Sequence, residues 1–149
     1  MSYTYKILST KDTSLLKELL HVFSEAFDDP ESYQSAVPTD DYIKSFLAMN
    51  NAIVIVALDG QKVVGGLVAY ELVKFEQARK EIYLYDLAVL AEHRRRGIAK
   101  GLIAELQLEA KKRGADVIYV QADHGDEPAI RLYESLGRKE NVYHFDITP

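Results

Sequence analysis

The stretch DLAVLAEHRRRGIAKGLI, residues 86–103, decides the fold, because in it a hydrophobic strand-like segment runs directly into three arginines, a glycine and an apolar helix. A short loop from a strand into a helix leaves the first backbone N–H groups of the helix unpaired, and the helix dipole adds positive charge there. Gly97 has no side chain to keep an anion from these amides, and Ala99 is small. The loop also carries three bidentate donors suited to phosphate, Arg94, Arg95 and Arg96. The stretch therefore predicts a phosphate-binding junction.

Two common nucleotide-binding patterns are missing from the sequence. It contains neither G-x-x-x-x-G-K-[ST] nor G-x-G-x-x-G. The junction therefore does not indicate nucleotide hydrolysis or hydride transfer, and the phosphate must belong to another kind of ligand.

Hydrophobic periodicity around the junction predicts a mixed α/β fold, with one central sheet flanked by about four helices. Helices are predicted over residues 13–27, 38–49 and 97–113, and a shorter one runs from its cap at Asp126 to Gly137. Strands are predicted at the N-terminus and over residues 52–58, 62–73, 81–90, 116–121 and 142–147. The order is strand, two helices, a three-strand meander, helix, strand, helix and strand.

Several local signals support these elements. Thr39 is suited to cap the second helix, and Asp59-Gly60 is typical of a hairpin turn. Gly65-Gly66 inside a strand predicts a bulge or the close approach of another backbone. Gly114 follows a run of basic residues, as expected at a helix C-terminus.

Length and composition favour one globular domain over residues 1–149, with 48% hydrophobic and 28% charged residues. The longest apolar runs, Ala52 to Leu58 and Val63 to Tyr70, are much shorter than the ~18 residues that a membrane span needs. The N-terminal residues MSYTYKILSTKD have no apolar core followed by a cleavage site. We therefore expect a cytoplasmic protein without a membrane partner.

Charge and cysteine content exclude several classes of function. No cysteine occurs, so disulfides, thiolate metal sites and a cysteine nucleophile are excluded, and the four histidines lack metal-ligand spacing. We expect no metal. The net charge of −5 argues against nucleic acid and fits a cationic ligand better.

Two segments resemble one family. LAVLAEHRRRGIAKGLI, residues 87–103, is similar to the acyl-coenzyme A loop of the Gcn5-related N-acetyltransferases (GNAT), whose motif is Q/R-x-x-G-x-G/A. DEPAIRLYESLG, residues 126–137, resembles the closing helix motif of that family, N-x-x-A-x-x-L-Y-E-x-x-G-F. Asp126 stands where the family usually has asparagine, and Arg138 where it has phenylalanine. The resemblance implies a GNAT fold over almost the whole chain.

Further segments resemble a subfamily, the aminoglycoside 3-N-acetyltransferases of the type I group. They are KFEQARKEIYLYDLAV (74–89), VIYVQADHGDEPA (117–129) and HFDI (144–147). This resemblance implies acetyl-coenzyme A as cosubstrate, a polycationic aminoglycoside as acceptor with its 3-amino group acetylated, and antibiotic resistance as the result. Members of the superfamily often form homodimers, which makes a homodimer possible here, but the sequence does not determine the oligomeric state.

The resemblance also implies the residues that bind acetyl-coenzyme A. Backbone groups of the strand at Leu87 and Val89, with Ala88 between them, are expected to pair with the pantetheine arm. The phosphate-binding junction supplies the second set of contacts, namely Arg94, Arg95, Arg96, Gly97, Ile98 and Ala99. Asp126 and Tyr133 are expected to contact the same cosubstrate through the closing helix.

The absence of a cysteine and of a G-x-S-x-G elbow predicts direct attack of the amine on the thioester in a ternary complex. The family resemblance makes Tyr133 the proton donor to the departing thiolate, although an aromatic residue at this helix position also fits packing alone. The general base stays open between Asp123, Glu81 and Asp146, and a positioned water is a further possibility. Residues expected to bind substrate are Tyr83, Asp86, Asp123 and Asp146.

Two other functions remain open at this point. A protein with the same fold can acetylate another amine, such as a polyamine or a protein N-terminus, or can bind acyl-coenzyme A without catalysis. Turnover with acetyl-coenzyme A across a panel of amines separates the three hypotheses.

Overall fold

Five strands form a mixed sheet in the computed structural model, which describes residues 2–149. The strands are β1 (Thr4–Ile7), β2 (Ala52–Asp59), β3 (Lys62–Val73), β4 (Lys80–Val89) and β5 (Ala115–Val120), and they neighbour one another in this order. The helices are α1 (Thr13–Ala26), α2 (Pro30–Gln34), α3 (Asp40–Leu47), α4 (Ile98–Arg113) and α5 (Glu127–Leu136), with a 3-10 turn at Ala91–His93. The predicted α/β class is confirmed, and α2 is an additional helix.

The local signals of the sequence are also confirmed. Thr39 accepts a hydrogen bond from the backbone N–H of Tyr42 as the cap of α3, and Gly114 ends α4 with a φ of 75°. Asp59 pairs with Lys62 across the hairpin turn between β2 and β3. These residues therefore set the ends of the elements that the sequence predicted.

The core lies where α1 packs on the sheet. Leu19 and Phe23 of α1 are fully buried, as are Val54 and Val56 of β2. Gly66 of β3 allows this close packing, because a Cβ there would lie 2.5 Å from Leu19 Cδ1. A Cβ at Gly65 would lie 3.0 Å from the backbone oxygen of Ala88, and one at Gly66 2.9 Å from that of Ile55, so the predicted close approach of another backbone is confirmed.

Replacing Gly66 by alanine is expected to destabilise the protein by about 1–3 kcal/mol, because the added methyl overpacks a filled core. The same methyl would also lie 2.9 Å from the backbone oxygen of Ile55, which cannot rotate away. Gly137→Ala is the matched control, since its φ is −156° and its nearest atom, Tyr133 O, is 3.9 Å away. Urea unfolding checks both variants, and equal stability would contradict the packing argument.

Two β-bulges change the direction of side chains in the central strands. Ala57 pairs with Gly65 and Leu58 with Val63, which leaves one extra residue in β3 beside the two glycines. In β4, Val68 pairs with Asp86 and Ala69 with Leu84, so Tyr85 is the extra residue. Successive side chains of a regular strand point to alternate faces of the sheet, so Asp86 and Tyr83 would point to opposite faces in a regular strand. The extra residue puts Asp86 on the same face as Tyr83.

The backbone forms two compact units, of which the first ends at Tyr119 and the second comprises Val120–Pro149. The second unit contains α5, none of whose residues is buried. The prediction of a strand over residues 142–147 is wrong, because these residues have no regular secondary structure. Their apolar side chains are exposed, Tyr143 to 90% and Ile147 to 87%. Strand-forming composition alone supplies no pairing partner, and a strand needs one.

Candidate active site

The predicted phosphate-binding junction has the geometry of an anion site. Gly97 is the N-cap of α4 with a φ of 80°, and its side-chain position is open, with nothing within 4 Å. The first helical hydrogen bond runs from Gly101 N to Gly97 O, so the three N–H groups before Gly101 have no acceptor within the helix. Arg95 also has a positive φ, of 61°. Left-handed residues in a loop can turn neighbouring backbone N–H groups toward one point, where an anion binds.

The three arginines of the junction differ in what they contact. Arg94 Nε donates to the backbone oxygen of Val89 at 3.1 Å, which ties the loop to the end of β4. Arg96 Nη1 donates to Tyr3 Oη at 3.1 Å, and Tyr3 Oη is 3.0 Å from His93 Nδ1. All three guanidinium-bearing residues are exposed. Together with the amides, they make a donor set that fits the diphosphate of coenzyme A.

The backbone of β4 offers a second feature that fits the cosubstrate. Leu90 N donates to Val64 O, which means that Leu87 and Val89 point their N–H and C=O groups away from β3. Ala88 points its own groups toward β3 instead. Leu87 and Val89 are the two residues expected to pair with the pantetheine arm.

The neighbouring strand β5 covers only the first half of this edge. Tyr83 stacks on Tyr119 with ring centroids 4.7 Å apart, and Arg79 Nε lies 3.6 Å from Asp116 Oδ2. β5 ends one residue after Tyr119, whereas β4 continues for six residues after Tyr83. The edge at residues 87–89 therefore extends beyond β5, where a strand-like ligand can pair with it.

Asp86 lies in a cavity of about 230 Å³ beside this edge. Tyr33 Oη donates to Asp86 Oδ2 at 3.0 Å. The lining is otherwise aromatic or aliphatic, and its aromatic members include Tyr33, Tyr42, Phe46, Tyr70 and Tyr85. A single carboxylate among aromatic rings is suited to a cationic group that also carries apolar surface.

The electrostatics of the cavity follow from its burial. Burial raises the pKa of the Asp86 carboxyl above its ordinary value, although the hydrogen bond from Tyr33 opposes this rise. Burial also raises the pKa of the Tyr33 phenol, and the charge of Asp86 raises it further. Tyr33 therefore stays protonated near neutral pH and remains a donor to the carboxylate.

Two other predicted residues share the face of Asp86 on β4. Tyr83 makes the stacked contact with Tyr119 and an edge contact with Tyr85, at a centroid distance of 5.6 Å. Glu81 Oε1 lies 3.8 Å from Lys74 Nζ, so this candidate base forms an ion pair. The structure thus brings Glu81, Tyr83 and Asp86 onto one face and puts Asp86 in the cavity.

The remaining predicted residues lie in the second unit. Asp126 caps α5 by accepting from the N–H of Ala129, and Tyr133 is half-buried on the same helix. Asp146 Oδ1 lies 2.9 Å from His144 Nε2, and its side chain is 96% exposed. Asp123 is exposed. Their roles in cosubstrate and substrate binding remain predictions.

Sequence reasoning missed the aromatic wall of the cavity. Tyr33, Tyr42 and Tyr70 come from α2, α3 and β3, which are distant in the chain. The composition carries one signal, ten tyrosines in 149 residues, but tyrosine also suits strands for packing reasons alone.

Among residues 2–149, no helix is both long and apolar enough to cross a membrane. Within the same residues, no three or more histidine and acidic side chains are grouped as metal ligands would be.

The chain belongs to the Acetyltransferase (GNAT) family, whose sequence profile matches residues 16–137. It has the GNAT fold, and this family uses acetyl-coenzyme A. The match includes the phosphate-binding junction, all of β4 and the helix α5.

Solved structures with high similarity are aminoglycoside acetyltransferases. HMB0005, from an uncultured soil metagenomic sample, is 49% identical with a TM-score of 0.98, covering 100% of this chain and 99% of that one. Meta-AAC0020, also from an uncultured soil metagenomic sample and in complex with sisomicin, is 30% identical with a TM-score of 0.91. The alignment covers 99% of this chain and 96% of that protein.

Curated relatives share a shorter region. N-acetyltransferase 8B of Homo sapiens is 32% identical over 112 residues, which are 74% of this chain and 49% of that protein. N-acetyltransferase 8B of Rattus norvegicus is 30% identical over 105 residues, 70% of this chain and 47% of that protein. The chain thus spans about half the length of the curated relatives it matches.

Proposed function

We propose that this protein transfers the acetyl group of acetyl-coenzyme A to an amino group of an aminoglycoside, the 3-amino group according to the subfamily resemblance. Acetylation removes the positive charge of that amino group and so confers antibiotic resistance in the cytoplasm. The likeness to two aminoglycoside acetyltransferases over nearly the whole chain supports this substrate class.

The observation that carries the proposal is the arrangement of β4. Asp86 lies in its aromatic cavity, and Leu87 and Val89 follow it along β4. The backbone groups of these two residues point to the open edge of the strand. An amine held at Asp86 is therefore next to the edge that would hold the pantetheine arm. Proximity of this kind lowers the barrier of a reaction between two bound groups.

The proposed reaction is a direct transfer without an acyl-enzyme. The acceptor ammonium first loses one proton to a base, and its nitrogen then forms a bond to the acetyl carbonyl carbon. The bond between that carbon and sulfur breaks as the nitrogen loses its second proton to solvent. The departing sulfur takes a proton, which we assign to the hydroxyl of Tyr133. Further ammonium groups of the polycation are met by Asp123 and Asp146.

Turnover across a panel of amines tests the proposal. With acetyl-coenzyme A as donor, we expect sisomicin and gentamicin to be acetylated with a far higher kcat/KM than spermidine, a small monoamine or a peptide N-terminus. The KM for the aminoglycoside should rise with salt, because recognition by carboxylates is screened. Faster turnover of a polyamine or a peptide would show that the preferred substrate is not an aminoglycoside but another amine. Binding of coenzyme A without turnover of any amine would indicate a non-catalytic binding module.

The acetylated nitrogen is identified by nuclear magnetic resonance of the purified product. Acetylation at the 3-amino group is expected, and acetylation at the 6′-amino group would correct the regiochemistry while leaving the substrate class intact.

A further inference from the structure

We propose that Tyr3 is a positioning residue for the cosubstrate, because its hydroxyl holds the guanidinium of Arg96 at the phosphate-binding junction, ready for a phosphate group of coenzyme A. Tyr3 directly precedes β1 and lies outside residues 16–137, which match the family profile. The sequence indicated no role for this N-terminal segment in binding. The inference rests on the proposed use of coenzyme A and does not depend on which amine is acetylated.

The side chains of Tyr3, His93 and Arg96 form a chain of hydrogen bonds with one consistent direction. Arg96 Nη1 donates to Tyr3 Oη at 3.1 Å, because a guanidinium has no acceptor. The O–H of Tyr3 then donates to His93 Nδ1 at 3.0 Å, which accepts when the neutral ring carries its proton on Nε2. The rings of Tyr3 and His93 also meet edge to face, with their centroids 5.8 Å apart. The Tyr3 hydroxyl is therefore fixed through both its oxygen and its proton.

The sheet, and not the loop before α4, sets the position of Tyr3. Thr4 pairs with Leu58 of β2, so the chain is anchored from the residue that follows Tyr3. Two residues after Tyr3, the hydroxyl of Tyr5 occupies the space that a side chain at Gly101 would need. The N-terminal segment thus contacts the first turn of α4 as well as the loop before it. It is a rigid support for that loop.

The position of Arg96 makes this support relevant to the cosubstrate. Arg96 directly precedes Gly97, the N-cap of α4, where unpaired amides are expected to meet phosphate. Its side chain is exposed, and an exposed arginine loses many rotamers when a ligand orders it, which opposes binding. The hydrogen bond to Tyr3 restricts these rotamers before the ligand arrives. Because the donors of a guanidinium lie in one plane, a bond at Nη1 also sets the plane in which the group meets a phosphate.

Calorimetric titration of the full protein with coenzyme A tests the proposal. Tyr3→Phe keeps the ring and its contact with His93 but removes the acceptor of the Arg96 guanidinium. We expect the dissociation constant to rise about three- to tenfold, the size expected when one hydrogen bond that orders a side chain is lost. Arg96→Met removes the guanidinium itself. Adding Tyr3→Phe to Arg96→Met should cause no further loss of affinity, because the hydroxyl acts through Arg96.

A cosubstrate without phosphate separates positioning from a general effect on the fold. S-acetylpantetheine carries the thioester and the pantetheine arm but no phosphate group. With the amine that the panel shows to be acetylated, Tyr3→Phe should lower kcat/KM for acetyl-coenzyme A about three- to tenfold and leave kcat/KM for S-acetylpantetheine unchanged. Titration with 3′-dephospho-coenzyme A identifies the phosphate. A loss that persists with it puts Arg96 at the diphosphate, and a loss that disappears puts Arg96 at the 3′-phosphate.

Tyr5→Phe is the matched control, since it removes the same hydroxyl from the next tyrosine of the same segment and keeps the ring against α4. Its affinity for coenzyme A should equal that of the wild type. A loss as large as that of Tyr3→Phe would assign the effect to packing of β1 on α4 and overturn the proposal.

The outcomes also separate this inference from the proposed function. If the wild type and Tyr3→Phe bind coenzyme A equally well, or if Tyr3→Phe lowers kcat/KM for S-acetylpantetheine to the same extent, the role of Tyr3 is overturned and the proposed function stands. A loss that persists in the Arg96→Met background overturns it as well. If the preferred acceptor is another amine and the phosphate-dependent loss is observed, the role of Tyr3 stands and the substrate class falls. A wild type that does not bind coenzyme A overturns both.

Discussion

Replacing Gly97 by glutamate is expected to abolish coenzyme A binding, with a loss of more than about 10²-fold in affinity. The new carboxylate would lie at the N-terminus of α4, where the phosphates are expected to meet the unpaired amides. Like charges brought together in a binding site cost several kcal/mol, and each 1.4 kcal/mol is about a tenfold change in affinity. Calorimetric titration with coenzyme A measures the effect.

The control for this variant must carry the same backbone strain. Gly97 has a φ of 80°, and a non-glycine residue there costs roughly 1–2 kcal/mol of folding free energy. Gly60 has a φ of 62° in the β2–β3 turn, also with nothing within 4 Å of its Cβ position. Gly60→Glu should therefore lose similar stability and keep wild-type affinity.

A third variant separates strain from charge. Gly97→Ala brings the same φ without the carboxylate, so we expect a modest loss of affinity in a folded protein. Unchanged affinity in folded Gly97→Glu would contradict the phosphate-binding junction. Equal losses in the alanine and glutamate variants would assign the effect to the backbone conformation instead of the charge.

The sequence was sufficient for most of the fold because the signals involved are local. Helix periodicity, the cap at Thr39 and the glycine at position 114 each act within a few residues, and each is present in the structure. The short helix α2 was missed, although Asp29 caps it and Pro30 begins it. Five residues are too few to display a helical period.

The candidate site was predicted only in part because its geometry is not local. That Asp86 lies on β4 follows from the sequence, but its direction depends on the bulge at Tyr85, which no residue type marks. Tyr33 reaches Asp86 across 53 positions of the chain, so no motif connects them. The prediction of a strand over residues 142–147 is wrong for a related reason. Whether a segment forms a strand depends on a neighbouring strand with which it can pair, and not on the β-propensity of its residues alone.

Removing only the hydroxyl of Tyr133, in Tyr133→Phe, is expected to lower kcat by about 10²–10⁴-fold, the usual contribution of general acid catalysis. The KM for acetyl-coenzyme A and the affinity for coenzyme A should stay near the wild-type values, because the proton is donated only as sulfur departs. Steady-state kinetics with sisomicin and calorimetry with coenzyme A measure the two quantities. Phenylalanine keeps the ring, so packing of α5 is preserved.

Tyr143→Phe is the matched control for Tyr133→Phe. It removes the same hydroxyl from the same unit of the chain, at a residue that is 90% exposed and outside the family motif, and its kinetics should equal those of the wild type. If Tyr133→Phe keeps the full kcat, the half-buried ring serves only in packing. Solvent, and not Tyr133, would then protonate the thiolate. A fall in coenzyme A affinity together with kcat would instead make Tyr133 a binding residue, because an interaction used only in the transition state does not change the affinity of the ground state.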